Sequence, residues 1–328
     1  MSDVARAAGV SAMTVSRVFK APGKVADETR ARVQAAIETL GYVPDGVAGS
    51  LASRESRLVA ALISTVAGSV FVSTIDGLNE ALAEAGHQLL LGTTEYSPES
   101  EEALLTAVLG RRPDGLVLTS ADHTEATRRM LANARLPIVE LWDLPDTPID
   151  AAVGFSNRAA GAAMTRLLVE LGYRKIAFVG AFGEGDRRGQ LRCAGYESVL
   201  SEFSLGPARR VATEAGTNLV ESGAAAAAAT LECWPDSDAI FCASDALALG
   251  ALSEARRRGL AVPDRLAIAG FGDFEFAGES GLSLTTVRIP GRLMGYEAGR
   301  LILSMKSGAK NLPRRIDLGF ELVRRSTA

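Results

Sequence analysis

From residue 58 onward the chain alternates short apolar runs with longer amphipathic ones, a pattern that calls for parallel strands layered by helices. The runs LVAALIST (58–65), HQLLLGT (87–93), DGLVLTS (114–120) and PIVELW (137–142) are short apolar strands. Helices are predicted between them near 71–85, 98–110 and 123–133. A second series begins near Ala151 with AAVGF and continues through KIAFVGA (175–181), DAIFCAS (238–244) and RLAIAGF (265–271). Its helices are expected near 157–171, 188–203, 217–231 and 245–258; the alanine run 223–230 is simply a strong helix former. Two doubly wound lobes follow, and such sheets bind ligands in the crevice at the carboxyl ends of their strands. No linker-like stretch separates the two series, so several strands should cross between the lobes.

Several function classes drop out on composition. No apolar run reaches the roughly 18 residues needed to cross a bilayer, and the N-terminus lacks a basic-then-apolar export signal. The expected location is cytoplasmic, without a membrane partner. Cys193, Cys233 and Cys242 form no CxxC pair and read as small buried hydrophobes in a reducing compartment. His87 and His123 are the only histidines, which disfavours a metal site or an acid–base pair. GAFGEG (180–185) follows a strand but is not GxGxxG, and GKV (23–25) lacks the setting of a phosphate loop. No nucleophile–histidine–acid set is visible, so the chain is not expected to be an enzyme or to hold a cofactor.

The first 43 residues differ from the rest. Residues 1–32 hold six lysines or arginines against three acids, while the whole chain carries a net charge of −4. A basic head on an acidic body points to a polyanion partner. DVARAA (3–8) reads as a helix with Ser2 or Asp3 near its N-cap. Gly9 supplies the turn, Ser11 caps a second helix over 12–19, and a third spans about 28–40. Small apolar residues let the first two helices cross closely, as in a helix-turn-helix. The second helix then lies in the major groove and presents Ala12, Met13, Ser16 and Arg17 to base edges. Arg17 suits guanine, Ala12 and Met13 suit thymine methyls, and Thr14 and Thr29 suit phosphates. The alternative is a three-helix structural cap whose Arg17 is only solvated.

These residues carry a resemblance. DVARAAGVSAMTVSRVF followed by ETRARVQAAIETLGYVP resembles the head of the LacI/GalR family of transcription regulators, and the similarity continues over essentially the whole chain. The chain starts a few residues short of the usual family N-terminus, and Ala26 stands where the third helix usually has a serine cap, leaving Asp27 as a substitute. The resemblance implies an all-α helix-turn-helix head plus an α/β two-lobed, periplasmic-binding-protein-like (type I) body with doubly wound parallel sheets. Its parts are a DNA-binding domain (1–43), a hinge (44–57) and an effector-binding and dimerisation domain (58–328). Lobe 1 should comprise about 58–153 and 288–313, and lobe 2 about 154–287 and 314–328.

In such regulators the hinge becomes helical on operator DNA, pairs with its dimer mate and wedges a leucine into the minor groove. Leu51 matches that leucine and Ala48 the small residue beside it, with Tyr42 completing the DNA-contact set. Asp45 and Gly49 depart from the family pattern, so weaker hinge ordering is expected.

The same resemblance places Val70, Phe71, Trp142, Arg188, Arg192, Ser244 and Asp273 at the effector cleft. Arg188 and Arg192 stand one helical turn apart, suited to a carboxylate or phosphate clamp; the plain alternative is a solvated surface pair. MTVSR, PIVELWD, AVGFSN, AIAGFGDFEFA and IDLGFELV are similar to gluconate-operon repressors of the family. The expected partners are a pseudo-palindromic operator, a sugar-acid effector and a second copy of the chain. No terminal leucine heptad follows, so a dimer is expected rather than a tetramer. A sugar-binding transport component would share the body but not the head.

Overall fold

A computed structural model describes residues 1–43, 55–66, 70–182, 186–213, 218–279 and 281–328. The chain divides into two compact units, Met1–Ser56 and Arg57–Ala328.

The first unit is built from α1 (Ser2–Ala8), α2 (Ala12–Lys20) and α3 (Asp27–Leu40). Val4, Ala5 and Ala8 meet Val15 and Val18 of α2 and Val33 and Ala36 of α3 in a core of small side chains. Gly9 closes α1 at φ 61°, a left-handed conformation that costs a residue with a Cβ more than it costs glycine.

The second unit begins with β1 (Leu58–Ile63), α4 (Val72–Glu84), β2 (Gln88–Thr93), α5 (Pro98–Leu109), β3 (Gly115–Leu118), α6 (Glu125–Asn133), β4 (Ile138–Leu141) and β5 (Ala151–Gly154). It continues through α7 (Asn157–Glu170), β6 (Ile176–Gly180), α8 (Arg187–Glu202), β7 (Arg209–Ala212), α9 (Leu219–Cys233), β8 (Ala239–Cys242), α10 (Asp245–Arg257) and β9 (Ala267–Ala269). It ends with β10 (Thr286–Arg288), α11 (Gly291–Lys306), β11 (Arg315–Asp317) and β12 (Glu321–Val323). One parallel sheet has the order β11-β5-β4-β3-β1-β2 and forms lobe 1; the other, β7-β6-β8-β9, forms lobe 2. Alternate residues of β1 go to opposite faces: Ala60 and Leu62 pack with Leu105 of α5, Val59 and Ala61 with the cluster holding Leu78 and Leu82 of α4. Helical cover on both faces explains why the strand is apolar throughout.

The two-lobed architecture matches the expectation, with differences at the joins. AAVGF does not begin the second sheet; Ala151–Gly154 pairs with β4 and completes the first. Arg315–Asp317 pairs with β5, so the last passage between lobes follows residue 317 and not 313. A three-residue strand among charged neighbours has no apolar run to announce it. The same holds for β7, a half-exposed edge strand that begins with two arginines. The chain passes between lobes three times, after Gly154, after Arg288 and after Asp317. The antiparallel pair β10–β12 stands beside the last two passages.

Helices α7 and α8 touch through their backbones. A Cβ on Gly161 would lie 2.2 Å from the carbonyl oxygen of Arg192, and one on Gly195 2.1 Å from that of Arg158. Gly161→Ala is therefore expected to lower stability by about 1–3 kcal/mol in urea denaturation, because backbone cannot yield as a side chain can.

Candidate functional site

In the head, Ser11 caps α2 as expected: its hydroxyl accepts from the Thr14 amide at 3.1 Å and pairs with the Thr14 hydroxyl at 2.9 Å. The other expected caps differ. Met1 occupies the N-cap of α1 and Ala26 that of α3, neither with a side-chain hydrogen bond, and Asp27 pairs with Arg30 at 2.7 Å. Ala12, Met13 and Arg17 are exposed on α2, Met13 at 70%, while Ser16 and Thr14 are half-buried. Among the described residues Arg17 makes no ion pair. Thr29 is half-buried, and Tyr42 packs against the head core. Ala48 and Leu51 lie outside the described residues.

One basic residue of the head has a structural task that composition could not reveal. Arg32 donates to the Ala8 carbonyl at 2.8 and 3.2 Å and to the Gly9 carbonyl at 3.3 Å. It satisfies acceptors that the end of α1 leaves open. The charge excess therefore overstates what the head can offer a polyanion.

The body holds a cavity of about 740 Å³, counting its solvent-open mouth, between the carboxyl ends of the two sheets. Val70, Phe71, Trp142, Arg188, Arg192 and Ser244 all line it. An aromatic ladder runs beneath: Phe71 to Trp142 at 5.1 Å, Trp142 to Phe155 at 5.9 Å and Phe155 to Phe271 at 6.0 Å. The two arginines lie on it, Arg188 over Phe71 at 5.1 Å and Arg192 over Phe271 at 4.6 Å. Arg188 also donates to the Thr119 carbonyl at 2.8 Å and to Ser64 Oγ at 3.0 Å, joining α8 of lobe 2 to lobe 1. Arg192 donates to Asn157 Oδ1 at 2.7 Å, and Asn157 in turn donates to the Trp142 carbonyl at 2.8 Å.

Burial and the neighbouring Arg188 press the Arg192 pKa below its ordinary value, against the pull of Asp186. Its Nε is enclosed without a hydrogen-bond partner. Two cations face one acid, Asp186, on the cavity wall, and Asp186 already accepts from the Gly189 amide at 3.0 Å. The lining is thus suited to an anion.

Two expected residues behave differently. Ser244 is present, but its oxygen accepts from the Leu247 amide at 3.3 Å and caps α10. Asp273 does not line the cavity. It adopts φ 52° and its carboxylate receives Arg288 at 2.6 Å and Arg325 at 2.7 Å, which leaves it 9% exposed beside the passages between lobes. Phe271 and Phe274 stand on the wall instead. Asn157, Tyr96 and Asp186 were not anticipated. Tyr96 follows β2 at the strand's carboxyl end, where the crevice rule directs attention.

Comparison with known proteins agrees with both units. Residues 1–45 match the model of bacterial regulatory proteins, lacI family, and residues 165–328 match that of the periplasmic binding protein-like domain. The chain is 34% identical to the HTH-type transcriptional regulator GntR of Escherichia coli (strain K12), over 98% of this chain and 96% of that protein. A crystal structure of a LacI-family transcriptional regulator from Silicibacter pomeroyi superposes with a TM-score of 0.92 at 35% identity, covering 99% of this chain and 98% of the other. The lac repressor dimer bound to operator and the anti-inducer ONPF superposes with a TM-score of 0.83 at 26% identity, covering 99% and 97%.

The uncapped start of α3 offers a direct check on the head. Ala26→Ser is expected to stabilise it by about 0.5–2 kcal/mol, and Ser11→Ala to weaken it by a similar amount. Thermal melts followed by amide NMR signals of residues 1–43 measure both.

Proposed function

The chain belongs to the lacI family of bacterial regulatory proteins, and on that premise we propose that it is a homodimeric repressor released from its operator by a sugar acid. That it is a DNA-binding transcriptional regulator follows from the family, whose members are regulators and not enzymes. What supports the finer reading is the cleft: two arginines on aromatic faces, opposed by a single wall carboxylate. An aldonic acid such as gluconate presents a carboxylate to the guanidinium pair and an apolar edge with hydroxyls to the ladder. Gluconate fits that description, and the similarity to GntR agrees with it.

Two heads related by a two-fold axis read the halves of a pseudo-palindrome. The lac repressor, seen as a dimer on its operator, shows that the architecture supports this arrangement. Arg17 on the exposed face of α2 serves base recognition, with Ala12, Met13 and Ser16 beside it; Thr14, Thr29 and Tyr42 serve the backbone, and Ala48 and Leu51 the minor groove. For ligand to act as inducer it must bind the DNA-free form more tightly, typically by about 1–3 kcal/mol.

Titration calorimetry against gluconate, related aldonates and neutral sugars tests the effector class. Gluconate or a close aldonate should bind, and Arg192→Met should weaken it about tenfold or more. Binding of neutral sugars or purines alone would refute the proposal. Arg17→Ala should weaken operator binding by about 1–3 kcal/mol in gel shift and leave effector affinity unchanged.

A further inference from the structure

A second cavity, of about 860 Å³ with its open mouth, lies within lobe 1 at the carboxyl ends of β1, β2 and β3, where Ser64, Thr94 and Ser120 stand on its wall. In the sheet β1 lies between β2 and β3, so the connections leaving these strands diverge there and open a crevice. The cavity shares Tyr96, Asp186 and Arg188 with the effector cleft, but the rest of its wall is different.

Two observations mark it as more than a gap in packing. His123 lies on the wall with its side chain wholly buried. Glu101 Oε1 is 2.9 Å from Nδ1 and Glu140 Oε1 3.7 Å from Nε2, yet neither ring nitrogen makes an aligned hydrogen bond. Burial alone would push the imidazole down, but the two glutamates outweigh it and hold its pKa up to about 9. The ring is therefore a cation at neutral pH, with donors left over, and buried donors without good partners are uncommon. In addition, Glu95 and Tyr96 both adopt left-handed backbone, φ 49° and 59°, an unfavourable pair for residues with a Cβ. That conformation places Tyr96 on the wall of both cavities.

The wall chemistry selects a ligand class. Glu101, Asp122, Asp143 and Asp186 face Arg187, Arg188 and the His123 cation, four negative groups against three positive. Much of this is paired internally, His123 with Glu101 and Arg187 with Asp143 at 3.1 Å. A lining so nearly balanced offers little to an ion. A hydroxyl group both gives and accepts, so it can serve the carboxylate of Asp122, the hydroxyl of Tyr96 and the remaining donors of Arg187 in turn. We propose that this cavity is a second ligand site, taking a neutral polyhydroxylated compound and separate from the anion-favouring cleft.

Saturation-transfer NMR on the full chain with D-glucose, D-mannitol and myo-inositol tests it. At least one should bind. Ala121→Trp, which fills the cavity from its wall, should abolish that binding, and Asp122→Ala, an exposed position that folding does not depend on, should weaken it roughly fivefold or more. Arg192→Met should leave it intact, since Arg192 belongs to the other cavity alone. Three silent polyols would overturn the proposal, as would binding that survives Ala121→Trp or disappears with Arg192→Met. The last outcome would put the polyol in the effector cleft, and none of these results bears on the sugar-acid reading.

Discussion

Two guanidinium groups lie one helical turn apart at the start of α8, and keeping both in a partly closed cleft governs the design of the body. Like charges brought together out of water repel, and each loses hydration. The fold answers with fixed partners. Arg188 is held by a backbone carbonyl and a hydroxyl of lobe 1, Arg192 by a buried asparagine, and each rests on an aromatic face. Asn157 has no exposed surface and is itself fixed by the Trp142 carbonyl, so Arg192 takes its place from both lobes. These contacts orient the arginines without cancelling their charge, because most of the partners are neutral.

The same device explains why the helices around the cleft are glycine-pinned. An arginine can reach Asn157 from α8 only if α7 and α8 lie unusually close, and Gly161 lets the Arg192 backbone approach. A residue with no side chain thus sets where the longest side chain of the site ends. It works entirely through the backbone.

The sequence disclosed this architecture unevenly, for identifiable reasons. Strands such as LVAALI are covered on both faces, so burial alone writes their pattern and their positions are readable. Short strands at the joins, RRVA and RID, are half-exposed and charged, and nothing local distinguishes them from loop. Within the cleft, Arg188 and Arg192 were legible because helical spacing joins them. Asp273 was misplaced because its role depends on Arg288 and Arg325, 15 and 52 residues away along the chain. An acid next to a cleft in sequence became, in space, the anchor for two cations beside the passages between lobes. Tyr96 and Asn157 carried no motif; only the position of their strands and the partners across the cleft identify them.

The arginines also bear on how a ligand would be felt. Arg188 reaches lobe 1 at Thr119 and Ser64, and Arg187 reaches Asp143 at 3.1 Å, so the start of α8 spans the gap between the lobes. The three chain passages allow the lobes to turn about that side, but any opening must break these bonds first. An anion seated on Arg188 and Arg192 adds attraction on the same side as those bonds, opposite the passages. It therefore favours the closed arrangement over the open one, and only such a difference in affinity between two arrangements can make binding do work elsewhere in a protein. A neutral ligand of the same shape would fill the space while lacking that charge-dependent preference, so in this cleft charge and not fit separates an effector from an occupant.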